Sequence, residues 1–195
     1  MTTAGSAALP RPVLADLAPG TLVRDATLVA VAVALTAASA QIVLPLPFTP
    51  VSITGQTFAV LLTAAALGPL RGVAAQGLYV LLGMAGLPFY AGGESGVQAA
   101  FGATGGYLVG FVVAAWVVGL CARRGLDRRP GGTLAAYALG TVVIYAFGVP
   151  WLAHVVGVSI TQAVGLGLTP FLLGDALKAL LAAGLLPAAW RIARR

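Results

Sequence analysis

Long apolar runs with almost no charge constrain the fold of this chain more than any other feature of its sequence. Only 8% of its 195 residues are Asp, Glu, Lys or Arg, and 59% are hydrophobic. A soluble domain carries about 25% charged residues because its surface must be hydrated. The surface of this chain must therefore face lipid, where every backbone N–H and C=O needs an internal partner. The runs are continuous rather than alternating, which argues against barrel strands and predicts an all-α integral membrane protein.

Six of these runs are predicted to be transmembrane helices within one membrane domain over residues 26–195. The second and third are short for a span of about 20 residues. The first is longer than the roughly 7–15 apolar residues of a signal peptide, so we expect it to be retained. Residues 1–25, rich in Ala, Pro and Thr, are predicted to be a mobile cytoplasmic tail. The predicted spans are 26–46, 53–68, 72–88, 104–122, 133–152 and 169–190.

The arginines between the runs predict the orientation of the chain. With six spans, all ten arginines fall in the N-terminal tail, the 68–72 turn, the 123–131 turn and the C-terminal tail, and the remaining loops contain no Lys or Arg. Cytoplasmic loops of membrane proteins are enriched in these residues. Both termini are therefore predicted to be cytoplasmic. The net charge of +6 is explained by this asymmetry, so it gives no reason to expect nucleic-acid binding.

Two charged residues lie inside the sixth run, where charge is expensive. Asp175 and Lys178 are three residues apart, so both side chains lie on one face of a helix. A charge at membrane depth costs about 2.5–3.5 kcal/mol on insertion scales. The pair is either an ion pair that satisfies itself while packing the helix, or a polar patch that meets a ligand. The second interpretation is favoured, because ionisable residues within a membrane usually serve a functional site.

A few other polar residues are candidates for the same site. Glu94 follows Gly92 and Gly93, which allow the backbone to approach a ligand closely. A glutamate that is simply solvated in a loop is the slightly favoured interpretation. Gln56 lies in an apolar run near the predicted outer mouth. It could contact a ligand or donate an interhelical hydrogen bond.

Small residues repeat every four positions in the first run, at Ala30, Ala34 and Ala38. Such a stripe lets another helix approach closely, either within the chain or from another subunit.

Several signatures of enzymes are missing from the sequence. It has no phosphate-binding loop for ATP. A single histidine, His154, and a single cysteine, Cys121, leave no conventional metal site and no intrachain disulfide. We therefore expect no enzymatic activity, no metal and no cofactor.

Five segments of the sequence resemble the BioY family, the substrate-binding (S) components of energy-coupling factor (ECF) biotin transporters. The resemblance extends over nearly everything after the N-terminal tail, with the segments in the family's order and spacing. The segments are PFTPVSITGQTFAVLL at 47–62, LGPLRG at 67–72, GLPFYAGG at 86–93, GATGGYLVGF at 102–111 and GDALKA at 174–179.

The resemblance implies a six-helix fold that holds biotin near the outer surface of the bacterial cell membrane. The family pattern places Asp175 and Lys178 at the ligand and makes the loop after the first helix a lid. The Gly-rich segment after Pro88, which includes Tyr90, would line the same pocket. Some relatives are expected to have an asparagine near residues 91–92. Small residues occupy that stretch here, so an amide contact would come from the backbone or from Gln56.

The resemblance also implies partners and a mode of recognition. The partners are a transmembrane coupling protein and two cytosolic ATPases, with Ala30 and Ala34 on the docking face. Biotin offers two ureido N–H groups, a ureido oxygen and a carboxylate. Asp175 would accept from the N–H groups with charge-assisted strength. Lys178 would donate to the ureido oxygen or neutralise the carboxylate, and the sequence leaves this choice open.

Three other functions remain consistent with the residues. A stand-alone or ion-coupled carrier of small solutes could use Asp175 and Lys178 to relay protons. An S component for another vitamin is a second alternative, because a fold does not determine its ligand. The third is a structural membrane subunit without a ligand.

Overall fold

The fold consists almost entirely of helices, which confirms the predicted all-α class. The computed structural model describes residues 11–17, 19–20 and 22–193. Two strands of two residues, β1 (Val43–Leu44) and β2 (Ile53–Thr54), pair as a small antiparallel hairpin. The α-helices of the described residues are α1 (Leu22–Ala40), α2 (Gln56–Leu67), α3 (Pro69–Met84), α4 (Gly96–Ala100), α5 (Gly105–Arg123), α6 (Pro130–Val156), α7 (Ile160–Gly167) and α8 (Leu172–Ala193).

Four helical stretches of the described residues are long and apolar enough to cross a membrane. They are Leu22–Ala40, Gly105–Arg123, Pro130–Val156 and Ile160–Ala193, the last of which joins α7, a 3-10 turn and α8. The helices α2 and α3, with 12 and 16 residues, are shorter and correspond to the two short apolar runs.

The first helix differs from its predicted span at both ends. It begins at Leu22 and ends at Ala40, whereas the apolar run extends to residue 46. Pro45 and Pro47 explain the earlier end, because proline lacks the N–H that a helix interior needs and disfavours helical backbone in the residue before it. The chain instead turns at Gln41 into the β1–β2 hairpin.

Helix α5 lies at the centre of the bundle and packs against α2, α3 and α6. Close packing depends on glycines at its contacts. The Cβ of an alanine at Gly110 would lie 2.9 Å from the Cα of Ile144 in α6. The turn between α2 and α3 is equally tight, since Gly68 has a φ of 81° and Pro69 begins the next helix.

Ionic contacts join several segments at one end of the bundle, which we call the arginine-rich end. Asp16 lies 2.8 Å from an Nη of Arg71 and 3.7 Å from an Nη of Arg123. Arg71 also lies 3.1 Å from the carboxylate of Asp25, which pairs with Arg24 at 2.6 Å. The network therefore ties the chain before α1 to the start of α3 and the end of α5.

Part of the segment predicted to be a tail packs against the helices. Residues 14–17 form a 3-10 turn, and Val13 is fully buried against Gly68. The backbone N–H of Arg11 donates to the carbonyl of Arg123 at 2.9 Å. The ion pairs of Asp16 account for this packing, which composition alone did not indicate. Residues 1–10 lie outside the described residues.

We expect Asp16→Asn to lower the thermal midpoint of the protein by about 2–4 °C at pH 7, since a partly solvated ion pair contributes at most about 1 kcal/mol. Burial raises the pKa of Asp16, but the hydrogen bond from Arg71, the Val13 N–H and the arginine charges outweigh it and lower the pKa overall. The stabilisation from the Asp16 carboxylate is complete above about pH 4, the pKa of this residue in the unfolded protein. It is lost as pH falls through the lower pKa that Asp16 has in the folded protein. Thermal unfolding in detergent should show that the difference in midpoint between the unmodified protein and Asp16→Asn narrows at low pH. An equal difference at every pH would contradict a stabilising role for the charge of Asp16.

Candidate binding cavity

A cavity of about 630 Å³, including its opening to solvent, lies at the end of the bundle away from the arginine-rich end. The first turns of α2, α5 and α8 contribute to it, together with the middle of α6 and the loops around residues 51–54 and 90–91. Its apolar wall is formed by Leu108, Phe111, Ile144 and Phe171.

The charged pair of α8 lines this cavity. Lys178 Nζ lies 3.1 Å from Asp175 Oδ1, and Asp175 is 9% exposed. Lys178 also donates to Thr57 Oγ1 at 2.7 Å, and that hydroxyl donates to Asp175 Oδ1 at 3.2 Å. The hydroxyl of Tyr145 donates to the other carboxylate oxygen, Oδ2. Three helices, α2, α6 and α8, are therefore joined at one polar cluster.

The cluster is electrically neutral but retains hydrogen-bonding capacity. A carboxylate can accept about four hydrogen bonds, and an ammonium group can donate three. Asp175 accepts from three donors, and Lys178 donates to two acceptors. One acceptor position on Asp175 Oδ2 and one donor on Lys178 Nζ thus remain, and both residues line the cavity. The prediction that the two charges share one face of the helix is confirmed, and this face lines a cavity.

Gln56 and Tyr90 also line the cavity, but their polar groups already have partners. Gln56 Oε1 accepts from Thr54 Oγ1 at 2.8 Å, and its Nε2 donates to the hydroxyl of Tyr79 at 2.6 Å. The hydroxyl of Tyr90 donates to the backbone carbonyl of Val80 at 2.7 Å. Tyr90 therefore presents its ring to the cavity rather than its hydroxyl.

Three of the predicted site residues do not line this cavity. Gly93 and Glu94 lie on a shallower, open groove beside it, and Gly92 lines neither space. The N–H of Tyr90 donates to the carbonyl of Glu94 at 3.0 Å and closes the turn around the two glycines. Gly92 and Gly93 have φ angles of 67° and 84°, so they serve this turn.

Comparison with known proteins places the chain in a family. The model of the BioY family matches residues 8–195. The chain belongs to the BioY family. The resemblance inferred from the five sequence segments is thereby confirmed.

Curated BioY relatives match along most of their length. The biotin transporter BioY of Thermotoga maritima is 41% identical over 138 residues, covering 71% of this chain and 80% of the relative. The probable biotin transporter BioY of Pyrococcus horikoshii is 38% identical over 156 residues, covering 80% and 90%. The crystal structure of the S-component for biotin from an ECF-type ABC transporter matches with a TM-score of 0.79. It is 22% identical in sequence, and the match covers 89% of this chain and 95% of that one. This likeness shows a shared fold.

Sequence reasoning missed Thr57, Tyr107 and Tyr145 in this BioY-family cavity. Thr57 directly follows Gln56, but its partners lie more than 100 residues away on α8. Tyr145 lies in an apolar run, where a lone hydroxyl is a weak signal. Tyr107 packs edge-on against Tyr145 with ring centroids 6.3 Å apart, and its hydroxyl donates to the carbonyl of Gly167 at 2.8 Å. The partner of each hydroxyl is visible only once the helices are packed.

The small-residue stripe of α1 faces away from the bundle. Ala30, Ala34 and Ala38 are exposed, whereas Val33 and Ala37 are buried against other helices. The stripe is thus available for contact with lipid or with another subunit.

Proposed function

We propose that this chain is the biotin-binding subunit of an ECF-type importer in the bacterial cell membrane. It binds biotin near the outer face and works with an ATP-driven module. The names of its BioY relatives support this assignment, as does the fold shared with an S-component for biotin. The neutral polar cluster beside an apolar cavity is the observation that carries it. Family membership also agrees with the expectation of a transport protein rather than an enzyme.

The cluster of Asp175 and Lys178 is chemically suited to a cyclic urea. A ureido group presents N–H donors beside a C=O acceptor, and the pair offers one acceptor position on Asp175 Oδ2 and one donor on Lys178 Nζ. The hydrogen bonds from the ureido group to Asp175 and from Lys178 to the ureido oxygen would both be charge-assisted. The apolar residues Leu108, Phe111 and Phe171 would cover the thiophane ring and the aliphatic side chain of biotin.

The carboxylate of biotin would point towards the mouth of the cavity. Lys178 is already compensated by Asp175, so the cluster offers no net positive charge to a second anion. Ser52 and Thr104 could solvate the carboxylate with hydroxyl groups and admit water. This arrangement assigns Lys178 to the ureido oxygen, one of the two roles that the sequence left open.

Six membrane spans with both termini in the cytoplasm are part of the proposal. The helices α1, α2, α3, α5, α6 and α8 would be these spans. The ion pairs of Arg24, Arg71 and Arg123 at one end, and the cavity at the other, support an outward-facing site. Arg194 and Arg195 of the predicted C-terminal tail lie outside the described residues.

The proposed partners are a transmembrane coupling protein and two cytosolic ATPases. The exposed side of α1 with Ala30 and Ala34 would receive the coupling protein, because small side chains let a second helix approach closely. Gly93 and Glu94, whose groove meets the cavity at Thr104, are proposed with the neighbouring Gly92 as part of the cavity entrance.

Competition binding to the purified protein tests the ligand and its orientation together. Unlabelled biotin should displace radiolabelled biotin, and thiamin and riboflavin should not. Biotin methyl ester should bind within about 10-fold of biotin, since a hydrogen bond that replaces one to water contributes only about 0.5–1.5 kcal/mol. A loss of more than 100-fold would instead place the carboxylate on Lys178. Displacement by another vitamin would contradict biotin as the ligand, and uptake without any ATPase partner would favour an ion-coupled carrier.

A further inference from the structure

A chain of three side-chain hydrogen bonds connects the two loops that form the mouth of the cavity. Thr54 Oγ1, at the end of β2, donates to Gln56 Oε1 at 2.8 Å. Gln56 Nε2 donates to the hydroxyl of Tyr79 in α3 at 2.6 Å. That hydroxyl donates to the carbonyl of Phe89 at 2.9 Å, in the loop after α3. Gln56 and Tyr79 are both buried.

The hydrogen atoms in this chain can be assigned without ambiguity. A tyrosine hydroxyl has one proton, and Tyr79 donates it to Phe89, so Tyr79 must accept from Gln56. The amide of Gln56 therefore directs its nitrogen to Tyr79 and its oxygen to Thr54. The hydroxyl of Thr54 in turn accepts the backbone N–H of Gln56 at 3.3 Å. The orientation of each side chain in the series is therefore set by the hydrogen bond that its neighbour makes.

The last acceptor in this series of hydrogen bonds, the carbonyl of Phe89, helps to fix a wall of the cavity. Tyr90, the residue after Phe89, packs edge-on against Tyr79 with ring centroids 5.9 Å apart. Its ring occupies the space above Gly83, where an added Cβ would lie 2.3 Å from Tyr90 Cε1. Displacement of the Phe89 carbonyl would therefore move Tyr90 and Ala91, both of which line the cavity.

We propose that Gln56 is a positioning residue that acts through Tyr79 to hold the 88–91 loop against the β1–β2 hairpin. It sets the shape of the cavity and does not itself bind the ligand. This inference rests on the proposed biotin function. The competing role for Gln56 is direct contact with ligand through its second amide N–H, because its side chain lines the cavity.

A double-mutant cycle separates these two roles. Tyr79→Phe keeps the ring and its contact with Tyr90 but removes the hydroxyl, and Gln56→Leu removes the amide. Each single variant should weaken biotin binding about 5- to 10-fold, and the double variant should be no weaker than either single. A direct contact that does not depend on Tyr79 would be lost equally in either background, so the two effects would multiply. Multiplied effects, or singles that bind like the unmodified protein, would overturn the proposal.

Hydrogen exchange of the ligand-free protein gives a readout that does not depend on biotin. Tyr79→Phe and Gln56→Leu should both speed amide exchange across residues 89–94, and Thr27→Val, on the exposed side of α1 near the arginine-rich end, should not. Unchanged exchange in both variants would overturn the positioning role, even if affinity falls. If the unmodified protein binds no biotin but exchange still rises, the proposed function fails and the positioning role stands. Tyr79→Phe keeps the test valid if Gln56→Leu does not fold.

Discussion

Asp175→Asn is expected to weaken biotin binding by about 10- to 150-fold, the range of a hydrogen bond to a charged group of about 1.5–3 kcal/mol. Asparagine has nearly the same shape but removes the negative charge. It also places an NH₂ group among the donors of Thr57, Tyr145 and Lys178. Lys178 would lose the charge that compensates it. Equilibrium binding of biotin to purified protein measures the effect.

The matched control for this variant is Asp25→Asn. Both substitutions exchange aspartate for asparagine and remove one negative charge, but Asp25 is partly exposed and lies at the arginine-rich end, away from the cavity. It should change the affinity less than 2-fold, because solvent screens a charge at the far end of the bundle. The thermal midpoint of ligand-free Asp175→Asn shows whether the helices still pack. Unchanged affinity in a folded Asp175→Asn protein would remove this carboxylate from the site.

Gly119→Ala is expected to have the largest effect on folding. An added Cβ would lie 2.4 Å from the backbone nitrogen and 2.5 Å from the Cα of Pro69. No side-chain rotation can relieve a clash with backbone, so α5 must separate from the α2–α3 turn. Overpacking of this kind costs about 1–3 kcal/mol or more. We expect the thermal midpoint to fall by about 2–12 °C, with less folded protein recovered from the membrane.

Gly77→Ala is the control for Gly119→Ala. Gly77 lies in the helix α3, and an added Cβ there would meet nothing within 4 Å. Alanine favours a helix over glycine by about 1 kcal/mol, so this variant should be as stable as the parent or slightly more. Equal midpoints for the two variants in thermal unfolding would show that the contact at Gly119 is not tight.

The apolar runs predicted the helices well because their signal is local. Helix α5 matches its predicted span to within one residue at each end, since 104–122 became 105–123. The pair of Asp175 and Lys178 was found for the same reason, as two charges in an apolar run are conspicuous whatever surrounds them. Features that depend on one residue and its immediate neighbours were therefore readable from the sequence.

Contacts between distant segments could not be predicted in this way. Asp16 and Arg71 are 55 positions apart, and nothing local to either shows that they meet. Gln56 was expected near the mouth and lines the cavity, but its amide is directed to Tyr79, 23 positions away. Gly92 and Gly93 do adopt the unusual backbone that glycine permits, yet for a turn beside the cavity. Residue type indicated what these groups can do, and packing decided which partner they have.

A structure of the protein with bound biotin tests the central claim most directly. We predict the bicyclic ring against Phe111 and Phe171, with its ureido group within hydrogen-bonding distance of both Asp175 and Lys178, at about 2.7–3.2 Å. Biotin found instead in the open groove beside Glu94, or with the Asp175–Lys178 cluster unchanged and without ligand contact, would contradict the account.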